Sequence, residues 1–239
     1  MSGKWLQALM ARRSFLGRLG VGAGVLGAAA VGSSAAMADV APTGGADAMW
    51  RPARHDQDKW YDEIPGVHRF VFDTFTADGM ASALRFANNY YNVNKSAYGL
   101  NETDLAVLII ARARSTSFGY NDAMWAKYGK AFSDQSGFTD PKTKQAPTVN
   151  LYAAADDGSG DTLSGAMQGL IKKGAHFGVC ASATRAIAGR IAKASSGDTD
   201  AIVKELGANL VCPNARLVPA GIVAVNRAQE HSYSLVSPG

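Results

Sequence analysis

The segment 174–194, GAHFGVCASATRAIAGRIAKA, constrains the fold most, because a short apolar run passes directly into a helical pattern. Residues 175–181 are predicted to form a buried strand, and the residues after them recur at the spacing of an amphipathic helix. Open α/β sheets contain such junctions and bind their ligands outside the carboxyl ends of the strands. The junction in this chain holds Cys180.

Cys180 is the candidate nucleophile. A thiol at the start of a helix lies in the positive end of the helix dipole, which favours the thiolate. Ser182 is predicted to cap this helix, and Arg185, about one turn further on, adds positive potential. His176 lies on the same face of the strand as Cys180, where it is a hydrogen-bonded core histidine or a base. The competing interpretation is that Cys180 is a small buried apolar residue, as free cysteines commonly are.

Strands and helices alternate along the rest of the chain, which predicts a parallel, doubly wound, three-layer α/β sandwich. The run DLAVLIIA at 104–111 has the almost unbroken apolar character of a central parallel strand. The other predicted strands are residues 67–75, 150–155, 215–218 and 233–236. The predicted helices are residues 79–91 (capped by Asp78), 118–132, 162–173, 198–207 and 219–229, the last with Pro219 at its first position.

Two arginines follow the predicted central strand. Arg112 and Arg114 lie where a doubly wound sheet binds its ligands, so the sequence predicts that they hold an anion or, alternatively, pair with surface acids. The histidines are scattered rather than set at metal-ligand spacing, and the glycine patterns of nucleotide-binding loops do not occur. The sequence therefore predicts neither a metal site nor a cofactor.

The amino-terminal residues 1–38 resemble a bacterial twin-arginine export signal. They contain the pair Arg12–Arg13, a weakly apolar run rich in glycine and alanine, and a small-x-small cleavage pattern at 36–38. Arg18 and several glycines interrupt the apolar run, which argues against a stable membrane anchor. The chain is therefore predicted to be exported to the periplasm.

The net charge of the chain without residues 1–38 argues against nucleic-acid binding. Residues 1–38 hold four basic residues and no acid, so their removal leaves 20 basic and 20 acidic residues. A formally neutral chain without a basic stripe is not expected to bind nucleic acid.

The mature chain is predicted to contain one domain and an arm. Residues 39–66 are predicted to be an extended aromatic arm, and residues 67–239 a single α/β domain. The polar loop at 133–148 is predicted to be a functional or subunit-contact segment.

The chain contains two cysteines. Cys180 is predicted at the end of one strand and Cys212 before the start of the next, which places them at opposite ends of a parallel sheet. A disulfide cannot span that separation. A redox enzyme that uses both thiols is also disfavoured, because no CxxC pair is present.

Several motifs in the carboxyl-terminal third resemble the DsrE/DsrF-like (YchN-like) family. They are AHFGVC at 175–180, ARLVPAGI at 215–222, AQE at 228–230, and Tyr233 with Pro238. The resemblance implies a flavodoxin-like fold, assembly as a homotrimer or homohexamer, and a cysteine that carries sulfur as a persulfide between partner proteins. Cys180 matches that cysteine.

Two functions remain open at this point. The first is a periplasmic sulfur carrier that exchanges a persulfide on Cys180 with sulfur-donor or acceptor proteins, its anion stabilised by Ser182, the helix amides and Arg185. The second is a non-catalytic oligomeric protein that binds a small ligand or a partner, with Cys180 buried and inert.

Overall fold

A computed structural model describes residues 51–154 and 165–238, so the predicted leader and the first part of the predicted arm lie outside the described residues. Its centre is a five-stranded sheet in which every pairing is parallel, with strand order β4-β3-β2-β1-β5. The strands are β1 (His68–Thr74), β2 (Leu105–Ala111), β3 (His176–Cys180), β4 (Ala215–Val218) and β5 (Ser234–Val236). The predicted three-layer, flavodoxin-like α/β architecture is confirmed.

Helices cover both faces of this sheet. They are α1 (Trp60–Glu63), α2 (Ala77–Tyr98), α3 (Asp122–Ser136), α4 (Ala166–Lys172), α5 (Ala181–Ser195), α6 (Thr199–Ala208) and α7 (Gly221–Glu230). Short 3-10 helices occupy Asp56–Asp58, Glu102–Asp104 and Ala113–Gly119. No helix within the described ranges has the length and apolar character needed to cross a bilayer.

The two faces carry two separate hydrophobic cores. β2 is buried at all seven positions, so its alternate side chains serve both faces. Val107 and Ile109 point into the larger core, which α2 to α6 cover, whereas Leu108 and Ile110 point into a smaller core beneath α1 and α7. The unbroken apolar run in the sequence therefore reflects a strand that is covered on both sides.

The strand order explains why the layers are unequal. Each step from β1 to β4 adds a strand on the same side, and right-handed crossovers then place all of their helices on one face. The step from β4 to β5 runs back across the sheet to the other side of β1, so α7 lies on the opposite face. β3 and β4 are therefore neighbours whose following helices lie on opposite faces.

Several predicted element boundaries are wrong. α2 is capped by Thr76, whose hydroxyl accepts the Gly79 N–H, and not by Asp78, and the helix continues to Tyr98. The helix predicted to start at 118 starts at Asp122, because the residues before it form the 3-10 helix Ala113–Gly119. Pro219 lies before α7 rather than in its first turn, since Ala220 is the residue that precedes the helix.

The strand predicted at 150–155 is also wrong over the residues that are described, 150–154, which form turns. The side-chain amide of Asn150 donates to the carbonyl oxygens of Phe118 and Tyr120, both at 2.9 Å. Asn150 thereby holds the segment that leads into α3, and this long-range use of its amide accounts for a turn where a short strand is predicted.

The described part of the predicted arm packs on the face with the smaller core. Trp60 and Tyr61 are buried there, and the Tyr61 hydroxyl donates to the Ala224 carbonyl of α7 at 3.1 Å. Arg216 of β4 lies over the Trp60 ring, 4.5 Å from its centroid. This short aromatic helix thus completes a layer that α7 alone covers incompletely.

Candidate functional site

The candidate site lies at the carboxyl edge of the sheet, between β3 and β4. Cys180 and Val218 are paired in register at the ends of these strands. The chain then continues into α5 on one face and into α7 on the other, which makes this gap a topological switch point, the place where open α/β sheets bind ligands. The Ser182 hydroxyl donates to the Pro219 carbonyl at 3.0 Å and links the two diverging segments.

Cys180 itself caps α5. Its Sγ accepts the backbone N–H of Ala183 at 3.4 Å, and its carbonyl oxygen accepts the Thr184 hydroxyl at 2.8 Å. The prediction that Ser182 is the cap is wrong, because the residue one position earlier already occupies that role and Ser182 instead contacts Pro219. The Cys180 side chain lies at the positive end of a helix of 15 residues, and 6% of the residue is exposed.

A charged pair lies beside the thiol. Arg112 Nε and Nη2 donate to the two carboxylate oxygens of Asp73 at 2.6 and 2.8 Å. The Asp73 hydrogen bond, more than the weaker attraction to Cys180, raises the pKa of Arg112. The guanidinium also lies over the Phe75 ring, 5.3 Å from the ring centroid. Arg112 therefore remains positively charged and fixed in place near the sulfur.

The absence of a side chain at Gly221 allows α7 to pack closely against Arg112. A Cβ added to Gly221 would lie 2.5 Å from the Cβ and 2.9 Å from the Cδ of Arg112, closer than carbon atoms approach. The first residue of α7 therefore packs directly on the aliphatic part of Arg112. Asp73 in β1 and Gly221 at the start of α7 thus both contact the side chain of Arg112, the residue that follows β2.

Sequence reasoning missed Asp73 and misjudged the partner of Arg112. The predicted alternatives were a bound anion and a surface acid, whereas the acid is buried, with 6% of its side chain exposed. One signal was present in the sequence: Asp73 is a charged residue that directly follows the apolar residues 70–72 within one strand. Such a residue needs a partner when it is buried.

The other predicted site residues lie elsewhere. Arg185 pairs with Asp200 of α6 at 2.9 Å, and both side chains are largely exposed. His176 is half-buried at the start of β3, about 13 Å from Cys180 for four residues of strand. Burial and the charge of Arg216 lower the pKa of His176, so it is neutral at neutral pH. Arg114 is exposed and lines a groove between α3 and α5 that Cys180 does not line.

Both cysteines are free thiols, and they lie at opposite ends of the β3–β4 pair as predicted. Burial raises the pKa of Cys212 to about 11. Within residues 51–154 and 165–238, no group of three or more histidine, cysteine or acidic side chains is arranged to hold a metal ion.

No protein-family model and no curated protein matches the chain. One solved structure that is similar is the protein of unknown function MTH1491 from Methanobacterium thermoautotrophicum. It is 15% identical over 72% of this chain and 99% of its own length, with a TM-score of 0.37. A likeness at this level assigns neither a family nor an activity.

Proposed function

We propose that this protein is a sulfur carrier that holds a persulfide on Cys180. The observation that carries the proposal is the position of the Cys180 sulfur, which accepts a backbone N–H at the start of a 15-residue helix. Amides at a helix amino terminus stabilise a sulfur anion there, on the thiol or on a persulfide. The resemblance of residues 174–238 to the DsrE/DsrF-like family supplies the class of chemistry.

The proposed step is a sulfur transfer without net oxidation. The Cys180 thiolate attacks the outer sulfur of a donor persulfide or polysulfide. A new S–S bond forms on Cys180 while the donor's S–S bond breaks, and the donor leaves as a thiolate or a shortened polysulfide. Attack by an acceptor thiolate on the outer sulfur of the Cys180 persulfide then moves that sulfur on and regenerates the Cys180 thiolate.

Two neighbouring features support this chemistry. The Arg112 guanidinium, held by Asp73, provides a fixed positive charge that attracts the thiolate. Ser182 ties the start of α5 to Pro219, which fixes the two segments on either side of the thiol. With 6% of Cys180 exposed, a small donor such as inorganic polysulfide reaches the sulfur more readily than a bulky one.

The proposal includes the cellular setting and the assembly. Export to the periplasm rests on the twin-arginine pattern in residues 1–38, and a homotrimer or homohexamer rests on the family resemblance. Exposed apolar side chains support a subunit contact. Phe86 and Val93, one heptad apart on α2, are 47% and 54% exposed, and Ile222 on α7 is 61% exposed.

The second candidate function is a non-catalytic oligomeric protein that binds a small ligand or a partner. The low exposure of Cys180 favours it, since a buried thiol that no donor reaches serves only as a helix cap and packing residue. The two functions differ in one measurable property, the reactivity of Cys180 in the folded protein.

The test is treatment of the folded chain with inorganic polysulfide, followed by intact-mass measurement. A sulfur carrier gains one sulfur atom in the wild type and in Cys212→Ser, and gains none in Cys180→Ser. Cys180→Ser is the matched variant because a serine hydroxyl also accepts the Ala183 N–H and keeps the cap. A Cys180 that gains no sulfur when folded and reacts with a thiol reagent only after denaturation would overturn the proposal and favour the non-catalytic function.

A further inference from the structure

A groove that Cys180 does not line lies between α3 and α5. It has a volume of about 540 Å³, and the residues Ala113 and Arg114 of the 3-10 helix border one part of it. This volume falls within the range of small-molecule binding sites, roughly 300 to 1,000 Å³. The groove is therefore large enough for an organic molecule rather than for a few water molecules.

Small side chains on both helices create the groove. α3 contributes Ala131, and α5 contributes Ala183, Ala186 and Ala194, with Ile187 and Ile191 between them. These α5 residues recur every three or four positions, so they form one continuous apolar stripe along the helix. Because alanine reaches only a short distance from the helix, the space between the helices stays open.

Two arginines give the groove its charge. Arg114 and Arg190 line it, and neither has a carboxylate partner within the part of the chain that the structure describes. Its acidic residue, Asp134, is already paired with Lys130 at 2.8 Å. By contrast, Arg112 and Arg185 both pair with carboxylates. The groove is therefore apolar in its walls and positively charged at two points.

A polar atom without a partner lies at the same place. The Gln135 Nε2 donates to the Ala113 carbonyl at 2.7 Å, whereas its Oε1 is buried and accepts no hydrogen bond from the described residues. The bond to a carbonyl fixes the orientation of the amide, since an amide oxygen in that position could not donate. Ala113 has a φ of 49°, a left-handed conformation that is uncommon for alanine. A hydrogen-bond donor is thus missing beside Gln135.

We propose that this groove binds an organic dianion with an apolar body. Arg114 follows β2 and lies towards the amino-terminal end of α5, because β2 and β3 are neighbours. Arg190 follows Ala183 by seven residues, about 10 Å along the helix axis. The groove between Ala183 and Arg190 therefore has the length for a ligand whose two acidic groups lie about 10 Å apart, one for each arginine, and the apolar stripe suits the chain between them.

The test uses linear dicarboxylates as probes, measured by isothermal titration calorimetry with the full chain. Azelate has its carboxylates at about the required separation, succinate is too short, and nonanoate lacks the second acid. Azelate is expected to bind one to one, with succinate and nonanoate each weaker by about tenfold or more. Arg114→Gln and Arg190→Gln are each expected to weaken azelate by about tenfold.

Two further variants separate the groove from general charge effects. Ala186→Phe places a large side chain in the groove at an exposed helix position and is expected to abolish binding. Lys193→Gln removes one positive charge from α5 outside the groove and is expected to change the affinity by less than about twofold.

Three outcomes would overturn the proposal. They are the absence of saturable azelate binding at millimolar concentration, equal binding of succinate and azelate, and equal loss in Lys193→Gln and Arg190→Gln. Self-association that Ala186→Phe abolishes, without azelate binding, would assign the groove to a second copy of the chain instead. None of these outcomes depends on the reactivity of Cys180.

Discussion

Replacement of Arg112 by leucine is expected to lower the free energy of unfolding by about 3 to 5 kcal/mol, because it leaves a buried carboxylate without its cation. Asp73 is 6% exposed at its side chain and accepts two bonds, of 2.6 and 2.8 Å, from Arg112. After the replacement, the Ser237 hydroxyl at 3.3 Å from Oδ2 would be its remaining side-chain donor among the described residues. One neutral hydrogen bond does not replace a bidentate guanidinium.

The opposite replacement is expected to have a smaller effect. Arg112 is 25% exposed at its side chain, so in Asp73→Leu the guanidinium still reaches water. We therefore expect a loss of about 1 to 3 kcal/mol for Asp73→Leu. The double variant removes both charges, so its loss is expected to be smaller than the sum of the two single losses by about 2 kcal/mol.

Urea unfolding at pH 7, followed by circular dichroism, measures these differences from the midpoints and the slopes. The control is Arg185→Leu, which breaks an ion pair whose side chains are 64% and 75% exposed and is expected to cost less than about 1 kcal/mol. If Arg112→Leu lost no more stability than Arg185→Leu, or if the two losses at Asp73 and Arg112 were additive, the pair would not be the buried, coupled unit described above.

Three further predictions concern close packing and burial elsewhere in the fold. Gly221→Ala is expected to destabilise the protein by about 1 to 3 kcal/mol, since its Cβ would lie 2.5 Å from the Arg112 Cβ. The control is Gly189→Ala in α5, which has nothing within 4 Å of its Cβ and is expected to stabilise the protein by up to about 1 kcal/mol. Thermal unfolding of the two variants measures the difference, and equal shifts in midpoint would contradict this reasoning. Burial raises the pKa of Tyr233 from 10.0 to about 12, so the stabilisation that comes from its neutral form is complete below pH 10 and is lost as the pH rises through 12. Tyr233→Phe should reduce the slope of stability against pH in urea titrations above pH 10, and an unchanged slope would contradict this reasoning. With a pKa of about 11, Cys212 is thiolate in about one molecule in a thousand at pH 8. Alkylation of Cys212 in the folded protein, measured by peptide mass spectrometry, should therefore be far slower than alkylation of the same residue after denaturation. Rapid labelling of the folded protein would show that Cys212 is not buried as described.

The sequence predicts the central strands β2 and β3 well because burial on both faces leaves a local signal. The strand predicted at 104–111 appears as Leu105–Ala111, that at 175–181 as His176–Cys180, and that at 215–218 with the same bounds. The strand predicted at 150–155 carries a similar apolar pattern, yet its described residues form turns. There the side chain of Asn150 bonds to a distant segment, which no local pattern reports.

The site is predicted less well than the fold, for a comparable reason. The sequence places Cys180 at a helix start, but capping preferences favour Ser182, and only the backbone geometry shows that the sulfur accepts the Ala183 N–H. The pairing of Asp73 with Arg112 joins residues 39 positions apart on neighbouring strands. Such a contact depends on strand order, which hydrophobic periodicity does not determine.

Strand order also decides which strand end becomes the candidate site. The connections that follow β1, β2 and β3 all lead to helices on the same face of the sheet. At the ends of β1 and β2, neighbouring connections therefore run in the same direction. β4 is different, because its helix α7 must return across the opposite face to bring β5 beside β1. Cys180 ends the one strand that borders β4. The same residue at the end of β2 would lie between two connections on one face, so its position, more than its chemistry, makes Cys180 the candidate nucleophile.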